Sequence, residues 1–559
     1  MKTNISIKLK HVVISLTAAF VVLGVGGIAH SVEQVDNPAN WPEYHRDYRG
    51  WRFSPLEQIN KSNVKKLKVA WIHQPGDITQ GMQATPLTID GVVFYIGPNN
   101  RVFAVDGATG KEIWHYYTEL DPVVNTLLFN GYNRGVTVGH GKVYFGTLDG
   151  RVIALDQKTG KELWSSKLTD PKKCSGCNFT SPPVLAGNVL IQGPTGGDIA
   201  QQGRIYALNA ETGEDLWRFE VIKDDPASWP GESGKTGGGG AWLPGQYDPK
   251  LDLFFIGTSN AAPDFDGSVR EGDNLYTATT LAIEPKTGKL RWHRQEIPHD
   301  VWDYDSAYEY VMIDKDGKDL MIHLNKGGYV YVMDRKTGEL INTWPLSENI
   351  NWVKAVNPRT GELSGRDQPE IGKSKLFCPS VLGSRSWNAG AYSPKTKLWY
   401  TNAHEFCNRV TVADKNDPKD LAFSQPYFGF AAFGFEPPPG KKQSARLDAV
   451  DPITGKRAWT VEYPLPGLGG VLVTGGDLVF NGDSRGYVHA YNANNGKELW
   501  NFNTGSGIRA GITSYAVNGK QYILVPTGFG SLFPGFASGV FPEFKGAKGG
   551  AAVIAFTVD

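Results

Sequence analysis

The chain has 559 residues, of which 57 are basic and 57 acidic, with 67 glycines, 34 prolines and 12% aromatic residues. That length exceeds one conventional core and points to several domains or a single large repeat architecture, while the turn-rich, aromatic composition excludes coiled coil and disorder. A near-neutral balance gives no basis for nucleic-acid binding.

At the N-terminus a basic segment (Lys2, Lys8, Lys10) runs into the apolar residues 12–28 and then Ala29-His30-Ser31, the order of an export signal covering residues 1–31. Seventeen mostly apolar residues are also near the lower limit for an uncleaved anchor. The reading adopted is cleavage, which leaves a periplasmic 32–559 domain without stable membrane insertion.

Next comes a repeat of alternating apolar residues, a polar turn ending in Gly, and Trp four residues later. It occurs as AVDGATGKEIW (104–114), ALDQKTGKELW (154–164), ALNAETGEDLW (207–217), AIEPKTGKLRW (282–292), AVDPITGKRAW (449–459) and AYNANNGKELW (490–500), with a degenerate copy at VMDRKTGELIN (332–342). Each copy reads as strand, tight turn and strand. Most spacings match one four-stranded propeller blade. The predicted fold class is therefore all-β, a single eight-bladed β-propeller whose tryptophans dock blade against blade. KLKVAWIH (66–73) is expected to join the C-terminal AAVIAFTVD (551–559). YSPKTKLWY (392–400), inside the longest interval, is a candidate remnant of an eroded blade.

Chemistry is concentrated in HDVWDYDSAYEY (299–310), where Asp300, Asp303, Asp305 and Glu309 crowd within ten positions. Like charges so close raise some pKa values or call in a cation. Of four cysteines, Cys174 and Cys177 form CSGCN, which lacks the His of a c-type haem site and has no second CxxC for zinc.

The A-x-D-x-x-T-G-x-x-x-W repeat and the flanking motifs, from residue 41 to residue 508, resemble the quinoprotein alcohol dehydrogenases, the methanol dehydrogenase group that uses pyrroloquinoline quinone. The resemblance implies Trp242, in GGGGAW, beneath the quinone ring, with Arg134, Thr180, Thr195 and Lys326 contacting the cofactor. It further implies Asp198, Asn260, Asp303 and Asp305 around a metal, with Asp303 as catalytic base. Asp305 is the second Asp carried by lanthanide-using members, so the expected ion is a lanthanide(III) or Ca²⁺; hard oxygen donors suit either. The implied activity is oxidation of an alcohol, or an aldehyde, with electrons passing to a separate cytochrome c. A homodimer is compatible with the resemblance, which also implies a Cys378–Cys407 disulfide. Cys174 with Cys177 is open between a short-loop disulfide and redox use.

Several positions depart from the family pattern. Leu128-Phe129 stand where a vicinal cysteine pair covers the quinone, Gln83 replaces Glu, Asp198 is one methylene shorter than the usual Glu, Gly240 replaces Thr, and Leu468 replaces Trp. Two Gly-, Phe- and Pro-rich segments, 428–442 and 529–544, read as walls of an entrance, as a docking surface, or as packing on the protein's own face. The competing functional class is a non-catalytic propeller scaffold of the cell envelope, which would need neither quinone nor metal.

Overall fold

The computed structural model describes Met1 and residues 37–76, 81–530, 535, 537–546 and 549–559; the expected export signal lies outside the described residues. The repeat forms hairpins for a local reason. In the first copy, strand Arg101–Asp106 returns as Glu112–Tyr117 with Ala104 opposite Trp114. Asp106 Oδ1 closes the turn by accepting from Thr109 N at 2.8 Å and Thr109 Oγ1 at 2.7 Å, and Gly110 supplies φ +73°. Asp156 with Thr159 and Asp451 with Thr454 repeat the device.

The docking role of the tryptophans is realised between neighbouring copies. Trp114 Nε1 donates to Gln157 O at 3.1 Å, Trp217 to Pro285 O at 2.7 Å and Trp459 to Ala493 O at 3.0 Å. A methyl group on Gly160 would lie 2.6 Å from the Trp114 ring, so the turn glycine is also the floor on which the preceding indole rests. The degenerate copy keeps this device with its indole two residues later: Trp344 donates to Pro452 O at 3.1 Å.

Among the described residues the strands form seven four-stranded sheets, one of five, and smaller sheets of three and two. Seven of the eight large sheets carry one repeat copy as a hairpin. In the eighth, Lys68–His73 pairs antiparallel with Ala552–Thr557, Lys68 opposite Thr557, which is the predicted junction of the two ends of the chain. YSPKTKLWY is not a remnant: Ala391–Tyr392 and Trp399–Glu405 are two strands of the sheet completed by AVDPITGKRAW. The long interval is explained by an inserted three-stranded sheet of Ser374–Phe377, Cys407–Val412 and Phe430–Glu436, and by the Ala355–Val356 and Leu363–Ser364 hairpin. Thus about half of the 428–442 segment, Phe430–Glu436, is strand and not loop. Of the other Phe-rich segment, Phe529, Phe541 and Phe544 pack with Phe406, Leu465 and Leu468, the packing alternative.

This topology brings the chemistry together. Arg134 precedes the first strand of its sheet (Thr137–Gly139), Trp242 precedes Gln246–Asp248, and Asp303 and Asp305 precede Tyr310–Lys315. Asp198 follows a second strand (Val189–Gln192), as Asn260 follows Leu253–Gly257 and Lys326 follows Lys318–Leu324. The start of one strand and the end of its antiparallel neighbour lie at the same end of a sheet. One end of the structure therefore receives every one of these residues.

Candidate active site

The four acidic residues of 299–310 divide their work. Asp300 organises the loop by accepting from Trp302 N at 3.2 Å and Tyr304 N at 2.8 Å, and burial lifts its carboxyl to about 6. Glu309 is removed from the site by a buried pair with Arg385, Nη1 to Oε1 at 2.9 Å. Asp303 and Asp305 remain, and Lys326 joins them, with Nζ 2.8 Å from Asp303 Oδ1 and 2.9 Å from Asp305 Oδ2. Asp303 adopts φ +59°, an uncommon conformation for a residue with a side chain, within the turn that Asp300 braces.

Asp305 is anchored by three donors: Asn260 N at 2.7 Å, Trp242 Nε1 at 3.2 Å and Lys326. It thereby ties the indole to the ion-binding region. Carboxylate oxygens of Asp198, Asp264 and Asp303 lie within 4.8 Å of one another. Burial pushes Asp198 up to about 6, helped by the charge of Asp305. Burial also raises Asp264 and Asp303 well above the usual carboxylate range, and neighbouring aspartates add to it. Burial opposes the charge on Lys326, but Asp303, Asp305 and Asp198 together hold its pKa well up.

Two connected cavities hold these groups. One of 140 Å³ is lined by Thr195, Asp198, Trp242, Asn260, Asp305 and Lys326 among others; one of 360 Å³ shares Arg134, Asp198, Trp242 and Lys326 with it and contains Asp303. A larger groove of 540 Å³, beside the Cys174–Cys177 disulfide, contains neither Trp242 nor the aspartate cluster. The expected Cys378–Cys407 disulfide is formed, and Cys174 and Cys177, open between two uses on sequence, are joined as well.

The donor set fits a hard cation. Asn260 Oδ1 and Asp264 Oδ2 are buried without a hydrogen-bond partner, a costly arrangement that an ion would relieve. Gly197 is required beside them, because a Cβ there would fall 2.2 Å from Asn260 Oδ1. The cavity equally fits a flat polyanion. The guanidinium of Arg134 lies 4.8 Å from both the Trp242 and Trp387 ring centroids, and that of Arg509 lies 5.6 Å from Trp387. Both arginines are buried; Nε of Arg134 and Nε and Nη1 of Arg509 lack partners, and burial with the neighbouring Arg134 charge lowers Arg509 to about 9. Two buried like charges with unused donors call for carboxylates between them.

Not every expected residue reaches the cavity. Thr195 lines it, whereas Thr180 lies beneath Arg134 and orients it, Oγ1 accepting from Nη1 at 2.5 Å. Phe129 lines both cavities, and Leu128 and Gln83 the larger. Gly240 has a steric reason: a Cβ there would approach Thr195 O to 2.7 Å, leaving no room for Thr. Leu468 is packed away among phenylalanines. Asp264, Trp387 and Arg509 went unpredicted. Asp264, four residues after Asn260, and Trp387, outside the repeat as Trp242 is, carried a readable signal; Arg509 in SGIRAG carried none.

Comparison with known proteins agrees with this geometry. The PQQ glucose/ethanol/alcohol dehydrogenase β-propeller domain matches residues 41–350 and 452–523. The quinoprotein alcohol dehydrogenase PedH of Pseudomonas putida is 33% identical, with 96% of this chain and 95% of that protein covered. The quinohemoprotein alcohol dehydrogenase ADH IIB of Pseudomonas putida is 36% identical over 93% of this chain and 77% of its own length. A europium-containing methanol dehydrogenase superposes with a TM-score of 0.87 at 28% identity, covering 95% of this chain and all of that one. With its repeat, its aspartate-lined cavity and these matches in agreement, the chain belongs to the pyrroloquinoline quinone-dependent alcohol dehydrogenases, a family of β-propeller oxidoreductases.

Proposed function

We propose that this enzyme is an eight-bladed periplasmic dehydrogenase, exported by cleavage of residues 1–31, that oxidises alcohols, with aldehydes as a second substrate class, and passes electrons to a separate cytochrome c. The observation that carries the reading is the convergence of Asp198, Asn260, Asp303, Asp305 and Lys326 on Trp242 and Arg134 around connected cavities. When bound, the quinone supplies the acceptor for the carbon-bound hydrogen, and a lanthanide(III) or Ca²⁺ ion supplies Lewis acidity beside it.

In this reading the protein's own groups do the rest. Asp198 and Asn260 hold the ion, with Asp303 and Asp305 completing its shell. Trp242 forms the floor under the ring, and Arg134, Thr180 and Thr195 form its carboxylate rim, Thr180 through its bond to Arg134. Asp303 accepts the hydroxyl proton of the alcohol, its basicity raised above that of an ordinary carboxylate by burial. Lys326 keeps Asp303 aligned and balances the carboxylate charge. Phe129 covers the ring in place of the vicinal cysteines. CSGC has no haem-attaching His and is closed as a disulfide, which supports an acceptor haem on another molecule.

The test is reconstitution of purified protein with the quinone and either La³⁺ or Ca²⁺, followed by dye-linked oxidation of short alcohols, long alcohols and aldehydes. Ion-dependent turnover is expected. Its absence with both ions across all substrates would overturn the reading in favour of a scaffold.

A further inference from the structure

Beyond its carboxylates the larger cavity becomes apolar, where the inserted three-stranded sheet stands over it. In a regular strand Phe430 would face away from Phe433 and Phe435. The register prevents this: Val412 pairs with Phe430 and Thr411 with Ala432, so Ala431 is left as a bulge and all three phenylalanines line the cavity. Phe428 stacks on Phe430 at 5.2 Å, Phe430 on Phe433 at 5.2 Å, and Phe265 meets Phe433 at 5.7 Å.

This wall is fixed to the catalytic loops by backbone. Tyr427 N donates to Asp198 O at 2.8 Å, and Phe265 N, one residue after Asp264, donates to Phe428 O at 3.0 Å. The Cys378–Cys407 disulfide ties the end of one strand of the inserted sheet to the start of the next. A bulge that recruits a third phenylalanine, on a sheet pinned to the aspartate loops, presents an apolar surface that a one-carbon alcohol could not cover.

We propose that this wall sets the substrate class: a primary alcohol bearing an aryl group, its ring held among Phe265, Phe430 and Phe433 while its hydroxyl reaches Asp303. The inference rests on the cavity being the alcohol site described above. An aromatic ring buries a large area at little cost in conformational freedom and pairs favourably with ring faces and edges, advantages a flexible alkyl chain lacks.

The test compares kcat/KM for 3-phenylpropan-1-ol, 1-propanol and methanol in the reconstituted holoenzyme. A preference for the phenyl compound over 1-propanol of at least about 100-fold is expected, given that one methylene in an apolar pocket gives roughly 10- to 200-fold. Phe433→Ala should lower that ratio at least about tenfold, and Phe433→Leu, which keeps an apolar side chain, by less. A ratio near unity, or one that neither variant changes, would overturn the proposal. Melting of the cofactor-free protein with each alcohol at equal concentration separates this inference from the reading it rests on. If no alcohol is oxidised, the function above fails; a larger melting shift with the phenyl compound then still supports the aryl site, and equal shifts overturn it.

Discussion

Asn260 Nδ2 donates to Asp264 Oδ1 at 2.8 Å, and this single bond turns the other face of the amide, Oδ1, away from Asp264 and leaves it without a partner. Only the NH₂ group can donate to a carboxylate, so Asp264 decides which atom of Asn260 is offered to an ion. A carboxylate that accepts the N–H of a ligating amide orients that ligand and raises its effectiveness.

Asp264→Ala should therefore weaken metal affinity by about 10- to 100-fold, the range for loss of an orienting partner. Equilibrium dialysis with metal analysis checks this without any turnover assay. Affinity equal to that of the unaltered protein would remove Asp264 from the ion site.

Asp305 is expected to discriminate by charge. Asp305→Asn keeps an acceptor for Asn260 N but removes one negative charge beside the ion, so a trivalent ion loses more than a divalent one. The La³⁺/Ca²⁺ affinity ratio, read by competition, should fall at least about tenfold, since even 1.4 kcal/mol of differential interaction is a factor of ten. An unchanged ratio would argue that Asp305 serves only to hold Trp242, Asn260 and Lys326.

For stability, the docking glycines are sharp probes. Gly160→Ala puts a methyl 2.6 Å from Trp114 in a turn with φ +70°. Overpacking and left-handed strain together predict a loss of about 2–4 kcal/mol. A lowered melting temperature checks it, and Gly141→Ala, also at φ +70° but with open space around it, isolates the strain component.

Acid sensitivity should follow from His404. Its ring is buried against Phe406, with Nε2 3.2 Å from Gly467 O, and burial depresses its pKa from 6.5 to about 3. Between those values the unfolded chain binds a proton that the folded protein does not, so this group's contribution to stability falls as pH falls. From pH 6.5 to 5, the unaltered protein should lose about 1.6 kcal/mol more than His404→Gln, the slope difference rising from about 0.7 toward about 1.4 kcal/mol per pH unit across that range. Parallel pH profiles of urea unfolding for the two proteins would contradict it.

By itself the sequence determined whatever is decided within a hairpin or carried by a motif. In copies such as 104–114 the Asp, Thr and Gly satisfy one another across four residues, so strands and turns follow from local chemistry, and the recurrence of one motif pointed to the docking role that Trp114, Trp217 and Trp459 play on the next copy. The crowding of Asp300, Asp303, Asp305 and Glu309 was equally visible, but their separate tasks were not. Whether a carboxylate braces a turn, pairs with Arg385 or faces a cavity depends on partners up to 81 residues away, such as Gly390, whose N–H donates to Glu309. Only the tertiary structure decided that Arg509 shares a cavity with Arg134, that Asp264 aims Asn260, and that a bulge at Ala431 turns a third phenylalanine inward. Each depends on which strand ends meet in space, and short-range periodicity does not encode that.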